Sequence, residues 1–128
     1  MSMNNKILLV EDEEFLSNLI GIKLKELNID VLKAKNGEEA LELIKKDSFD
    51  LILLDIILPK MNGFDFLNEL KGMNNKTPVV VITILAQETD IDKFKEFGAM
   101  GYISKSKTTL NDLVLEIQNK CKQFYNIK

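Results

Sequence analysis

The chain predicts an α/β domain, a parallel five-stranded sheet between two layers of helices. Three observations predict it. Four short runs, Ile7-Leu8-Leu9-Val10, Leu51-Ile52-Leu53-Leu54, Val79-Val80-Val81-Ile82 and the shorter Tyr102-Ile103, are apolar almost throughout. Runs that do not alternate belong to strands covered on both faces. Between them the apolar residues recur at helical spacing. Strand and helix then alternate five times with short connections, the order that builds a parallel sheet with right-handed crossovers.

The elements follow in order. Ile7–Val10 is the first strand, and Leu16, Ile20, Leu24 and Leu27 stripe the helix after it. Ile29-Asp30-Val31-Leu32 is a second, more polar strand, which suits a sheet edge. Asn36-Gly37 opens a helix striped by Ala40, Leu41 and Ile44; Leu51–Leu54 is the third strand; Asn62-Gly63 precedes a helix striped by Phe64, Leu67 and Leu70 and punctuated by Gly72. Thr77-Pro78 leads into the fourth strand, and Ile91, Phe94 and Phe97 mark a fourth helix closed by Gly98. After Tyr102-Ile103, Leu110, Leu113, Val114, Ile117 and Cys121 follow the i, i+3, i+4, i+7 rule, with Thr108 or Thr109 as the cap.

Composition narrows the function. At 128 residues one domain is expected, spanning 1–128 with a core at about 6–124 and no output domain. No window approaches the roughly 18 apolar residues of a membrane span. The N-terminus is polar and lacks an apolar leader, so a cytoplasmic location is expected. With 17 basic and 20 acidic residues, a formal charge of -3, nothing favours direct nucleic-acid or membrane binding. Histidine is absent, which removes Ser-His-Asp catalysis and the usual zinc and haem ligands. Cys121 is the only cysteine, so no intrachain disulfide can form, and Val114 and Ile117 at helical spacing favour a buried structural thiol. Chemistry must run on carboxylates, lysines and hydroxyls.

Those groups fall at the strand ends. The first strand ends in Glu11-Asp12, the third in Asp55, the fourth in Thr83 and the fifth in Lys105, so a parallel sheet puts all of them on one rim. Open sheets of this kind bind ligands beyond the carboxyl ends of their strands. Two unit charges about 4 Å apart cost on the order of 4 kcal/mol at an effective dielectric near 20, so converging carboxylates need a cation. Lys105 can neutralise one charge. A hard divalent ion, above all Mg²⁺, removes more and leaves room for phosphate oxygens. Each residue alone has a plainer reading: Glu13 and Glu14 as helix N-terminal acids, Asp55 as a turn residue, Thr83 as strand packing, Tyr102 as core, Lys105 as solvated. The plain reading stands for Glu13 and Glu14; for Glu11, Asp12, Asp55, Thr83 and Lys105 their joint placement on one rim shifts the balance toward a site.

The chain resembles, from Lys6 to about Phe124, the CheY-like receiver domain of two-component response regulators. The matching pieces are ILLVEDEE, LILLDIILPKMNGFDFL, PVVVIT and GAMGYISK, each weak alone and specific in this order. The resemblance implies a flavodoxin-like (βα)5 three-layer sandwich with strand order 2-1-3-4-5. It implies Asp55 as phosphoacceptor, with Lys105 and Thr83 as its catalytic partners. It implies Mg²⁺, or Mn²⁺ in its place, on Glu11, Asp12, Asp55 and the backbone carbonyl of Ile57. Thr83 and Tyr102 become the switch, altering the surface of the fourth helix, fifth strand and fifth helix. The implied partners are a sensor histidine kinase and an unidentified downstream protein, with homodimerisation on phosphorylation a further outcome. Such a module is not an enzyme beyond catalysing its own phosphorylation and dephosphorylation.

Three departures stand out. Ile84 follows Thr83 where the family usually has a small residue, and apolar Ile57 and Leu85 replace polar ones that guide water; slow phosphoryl loss is expected. Ser106 follows Lys105 in place of a proline whose bond is typically cis; a non-proline cis bond costs roughly 2.5–4 kcal/mol, so either this loop carries strain or, the outcome slightly favoured, it relaxes to trans, with a shift of Lys105 as one consequence. The acidic pair is Glu11-Asp12 rather than two aspartates. Of the rival readings, a flavin module would want a phosphate loop where EDEE stands. A phosphatase of the haloacid dehalogenase type would want a DxD pattern after its first strand. The alternative kept is a degenerate receiver acting as a phosphorylation-independent docking module.

Overall fold

The computed structural model describes residues 5–84, 87–105 and 109–125, apart from the side chains of Cys121, Phe124 and Tyr125. The expectations placed on Leu85, Ser106, Thr108 and the Cys121 side chain lie outside these. The elements run β1 (Asn5–Val10), α1 (Glu14–Lys25), β2 (Ile29–Ala34), α2 (Gly37–Lys46), β3 (Leu51–Leu54), α3 (Gly63–Gly72), β4 (Val79–Thr83), α4 (Glu88–Glu96), β5 (Gly101–Ser104) and α5 (Leu110–Tyr125). The five strands are parallel, in the order β2-β1-β3-β4-β5. This is the flavodoxin-like order, with the polar strand at an edge as expected.

Alternate residues of the apolar strands enter two separate cores, which is why those runs need no polar face. Leu8, Val10, Ile52, Leu54, Val79 and Val81 pack with Ala40, Ile44, Phe66, Leu67, Leu70 and Phe94 of α2, α3 and α4. Ile7, Leu9, Leu51, Leu53, Val80 and Ile82 pack with Ile20, Leu24, Leu113, Val114 and Ile117 of α1 and α5. Full burial of each such side chain contributes about 1.5–3 kcal/mol before entropy is counted.

Helix ends explain where the reading from sequence was too simple. The stripe of α1 was expected to reach Leu27, but the helix stops at Lys25 and Leu27 is exposed. The N–H groups of Leu27 and Asn28 donate to Leu24 and Lys25, a tightened last turn, and Asn28 takes φ 63°, a left-handed conformation that Asn tolerates better than most residues. Asn36 and Asn62 are caps: their side chains accept the N–H groups of Glu39 and Asp65, and the glycine after each is the first helical residue. Thr109 caps α5, its Oγ1 accepting the Asp112 N–H. Among the described residues no helix is long and apolar enough to cross a membrane.

Candidate functional site

Three ladders continue one residue past their strands and fix the rim. The N–H of Glu11 donates to the Ala34 carbonyl at 3.0 Å, that of Asp55 to Val10 at 2.9 Å, and that of Lys105 to Thr83 at 2.9 Å. Backbone bonding thus sets Glu11, Asp55 and Lys105 at the carboxyl edge before any side chain interacts. The turn after Asp55 is held as firmly. The Gly63 N–H donates to the Ile56 carbonyl at 2.9 Å, and a Cβ on Gly63 would lie 2.6 Å from the Ile56 Cα and 3.1 Å from the Asp55 carbonyl oxygen. Only glycine permits that approach.

The side chains converge as the strand ends predict. Lys105 Nζ lies 2.6 Å from Glu11 Oε1 and 3.0 Å from Asp55 Oδ2. Asp55 Oδ1 accepts the Ile57 N–H at 3.0 Å, and Glu11 Oε2 accepts the Glu13 N–H at 3.1 Å. Asp55 and Glu11 are buried, Asp12 is exposed. With Glu13, Ile57, Ile84 and Lys105 they line an open cleft of about 320 Å³. Lys105 is therefore not relocated, whatever the Ser106 substitution does beyond it. Thr83, fully buried, ends β4 opposite Ser104, and Ile84 after it is 61% exposed at the cleft. Tyr102 is 37% exposed, so its plain reading as a core residue does not hold.

Among the described residues one lysine meets these carboxylates and does not balance them. Burial pushes the Glu11 carboxyl above its ordinary range, and the Asp55 charge adds to that, although the Lys105 hydrogen bond pulls the other way. Lys105 is raised as well: burial works against its charge, but the bonds to Glu11 and Asp55 prevail. Glu11, Asp12 and Asp55 each offer an oxygen, and the three oxygens lie within 4.8 Å of one another. Three hard oxygen donors on one rim fit a hard divalent ion that keeps part of its water shell. The Ile57 residue expected to lend its carbonyl lines the same cleft. What sequence reading missed here is the role of Gly63, noted only as turn punctuation; the Asn-Gly pair was its signal, but the close approach is tertiary.

A parallel sheet of this strand order, with an acidic cleft and a bonded lysine at its carboxyl edge, defines an α/β signalling module of the response-regulator kind. The response regulator receiver domain family matches residues 7–118, and the chain belongs to it. The transcriptional regulatory protein CpxR of Klebsiella pneumoniae is 44% identical over 101 residues, which are 79% of this chain and 43% of that protein. The chain thus spans less than half the length of that relative. The Francisella response regulator 1452 receiver domain superposes with a TM-score of 0.84 at 28% identity, covering 94% of this chain and 98% of that one. The BeF3-activated N-terminal receiver domain of Klebsiella pneumoniae RstA gives 0.82 at 33% identity, over 93% and 100%. Receiver domains are signalling modules that bind Mg²⁺ at an acidic pocket and take phosphoryl groups from sensor histidine kinases.

Proposed function

We propose that this chain accepts a phosphoryl group on Asp55 from a sensor histidine kinase and signals through the surface of α4, β5 and α5. The observation that carries the reading is the setting of Asp55. It is a buried carboxylate at the floor of an open cleft, one oxygen on the Ile57 N–H and the other on the Lys105 ammonium, with Glu11 and Asp12 beside it. An Asp55 oxygen bonds to phosphorus while the phosphorus–nitrogen bond of a phosphohistidine breaks, and that bond's electron pair stays with the imidazole nitrogen.

Asp12, Glu11, Asp55 and the Ile57 carbonyl would hold Mg²⁺, or Mn²⁺ in its place. When bound, the ion supplies positive charge to the transferring phosphoryl oxygens. Lys105, already bonded to Asp55, follows the negative charge as it passes to those oxygens. Thr83, at the end of β4 beside the cleft, then bonds one of them, and Tyr102 on the neighbouring strand turns inward. The recipient is a downstream protein or a second copy of the chain.

Mg²⁺ with acetyl phosphate, followed by intact-mass measurement, tests this. Wild type is expected to gain one phosphoryl mass and Asp55→Asn none; an unmodified wild type, or a modified Asp55→Asn, sinks it. The exposed Ile84 at the cleft motivates the second reading, a phosphorylation-independent docking module. Beryllofluoride with Mg²⁺ separates the two, because only a receiver that accepts phosphoryl groups binds this mimic.

A further inference from the structure

Helix α4 is the most lightly anchored of the first four helices. Its only buried residue is Phe94, whereas α1 buries Ser17, Ile20 and Leu24, and α3 buries Gly63, Phe66, Leu67 and Leu70. Phe94 and the residue that ends α4, Phe97, both meet one side chain of α3. The Phe64 ring stacks on Phe94 with centroids 6.0 Å apart and tilts against Phe97 at 4.9 Å. Lys93 Nζ stands 4.3 Å from the Phe64 centroid, adding a cation over the ring. Beside the end of α4 lies a cavity of about 190 Å³, lined among others by Leu67, Leu70, Phe97 and Met100. The helix has one aromatic seat and room next to it.

That seat stands directly on the acceptor loop. Phe64 follows Gly63, whose N–H is bonded to the Ile56 carbonyl and whose Cα leaves no space before Ile56 and the Asp55 carbonyl. The bond and the close packing tie Gly63 to the acceptor loop. Phe64 is the next residue on that turn, while Phe66, Leu67 and Leu70 hold the rest of α3 in the core.

We propose that Phe64 links the acceptor loop to α4, so that a change at Asp55 reaches α4 through α3 as well as through Thr83. The inference rests on the proposed phosphorylation of Asp55. In the resting state the Phe64 seat holds α4; the phosphoryl group weakens that seat, and by reciprocity a weakened seat favours the phosphoryl-bound state.

Amide NMR of wild type and Phe64→Leu, titrated with beryllofluoride in excess Mg²⁺, tests the link. In the variant, the α4 signals are expected to lie part-way toward their mimic-bound positions before any mimic is added. Mimic affinity is expected to rise roughly two- to thirty-fold, the range of coupling found for residues between two sites. Lys93→Gln, at an exposed position, carries the same test in a smaller degree should Phe64→Leu fail to fold. If α4 shifts and mimic affinity match wild type in the folded variants, the link is overturned while the phosphorylation reading stands. A wild type that ignores the mimic overturns both.

Discussion

The two ends of β1 carry acidic residues in opposite circumstances. At the amino end, Lys6 and two aspartates are matched. Lys6 Nζ holds Asp47 at 2.7 Å, while Asp50 Oδ2 accepts the Lys6 N–H and the Asp50 N–H returns a bond to the Lys6 carbonyl, both at 2.8 Å. Asp47 also accepts the Ser48 N–H, and its carboxyl is held below the ordinary range, first by the hydrogen bond from Lys6. At the carboxyl end, Lys105 bonds the buried Glu11 and Asp55, the exposed Asp12 stands beside them, and Glu11 is pushed the other way. Carboxylates at both ends, opposite shifts: what differs is burial and the number of carboxylates gathered around the one lysine. One end closes the fold; the other, among the described residues, is left short of positive charge, which suits the proposed binding of a divalent ion.

Breaking the carboxyl end should have the largest effect. Gly63→Ala places a methyl group 2.6 Å from the Ile56 Cα, a backbone atom that cannot swing away. A loss of about 1–3 kcal/mol is expected, the usual cost of overpacking. Urea unfolding would show it as a lower midpoint with unchanged slope, and intact-mass kinetics should show slower phosphorylation as the Asp55 loop yields. An unshifted midpoint would mean that the turn is looser than its geometry.

Next comes the mouth of the cleft. Ile84 and Ile57 are its apolar lining residues, and both are half-exposed or more. Their side chains narrow the approach of water to a phosphoryl group proposed on Asp55. Ile84→Ala should shorten the phosphoryl half-life about five-fold, equivalent to roughly 1 kcal/mol in the barrier. Following loss of the phosphoryl mass after removal of acetyl phosphate measures this, and an unchanged half-life would remove Ile84 from any such role.

The charge shortage itself can be tested at Asp12, the exposed member of the three. Asp12→Asn relieves repulsion in metal-free protein, and solvent screening limits the gain to about 0.5 kcal/mol. The same change removes a proposed ligand of Mg²⁺. Thermal unfolding with and without Mg²⁺ should therefore show a variant more stable than wild type without the ion and less responsive to it. A variant that is destabilised and still gains fully from Mg²⁺ would contradict the account of this end.

Much of this contrast can be read from sequence, because strands buried on both faces declare themselves as apolar runs and their ends then locate the rim. Glu11, Asp12, Asp55, Thr83 and Lys105 are all found by that rule. Tertiary facts are what it misses. β2 extends to Ala34 past the exposed Lys33, whose terminal carbon lies 3.0 Å from a Cβ built on Gly21 and whose Nζ reaches Asn18. Leu27 belongs to the helical stripe by period, yet the left-handed Asn28 ends the helix before it. The place of Lys105 depends on Glu11 and Asp55 rather than on the residue after it. No local pattern foretells that Phe64, Phe94 and Phe97 meet.

The smallest effect should come from the amino end, where pH provides the lever. Asp47 has a folded pKa depressed below its unfolded value of 3.8, so the Lys6 pair contributes stability that is present above that value. It is lost as pH falls through the depressed folded value, where Asp47 takes up a proton and the pair dissolves. Lys6→Met removes the pair but keeps the backbone bonds to Asp50, which do not involve the side chain. Urea midpoints of wild type and Lys6→Met should differ slightly near pH 7 and converge near pH 2, since an exposed pair of this kind is worth little. Addition of about 1 M salt near pH 7 should narrow the gap as acid does, because screening reaches this solvent-facing pair. A gap that persists in acid would assign the loss to the Lys6 ammonium standing 6.0 Å from the Phe49 ring centroid, an attraction that does not depend on Asp47.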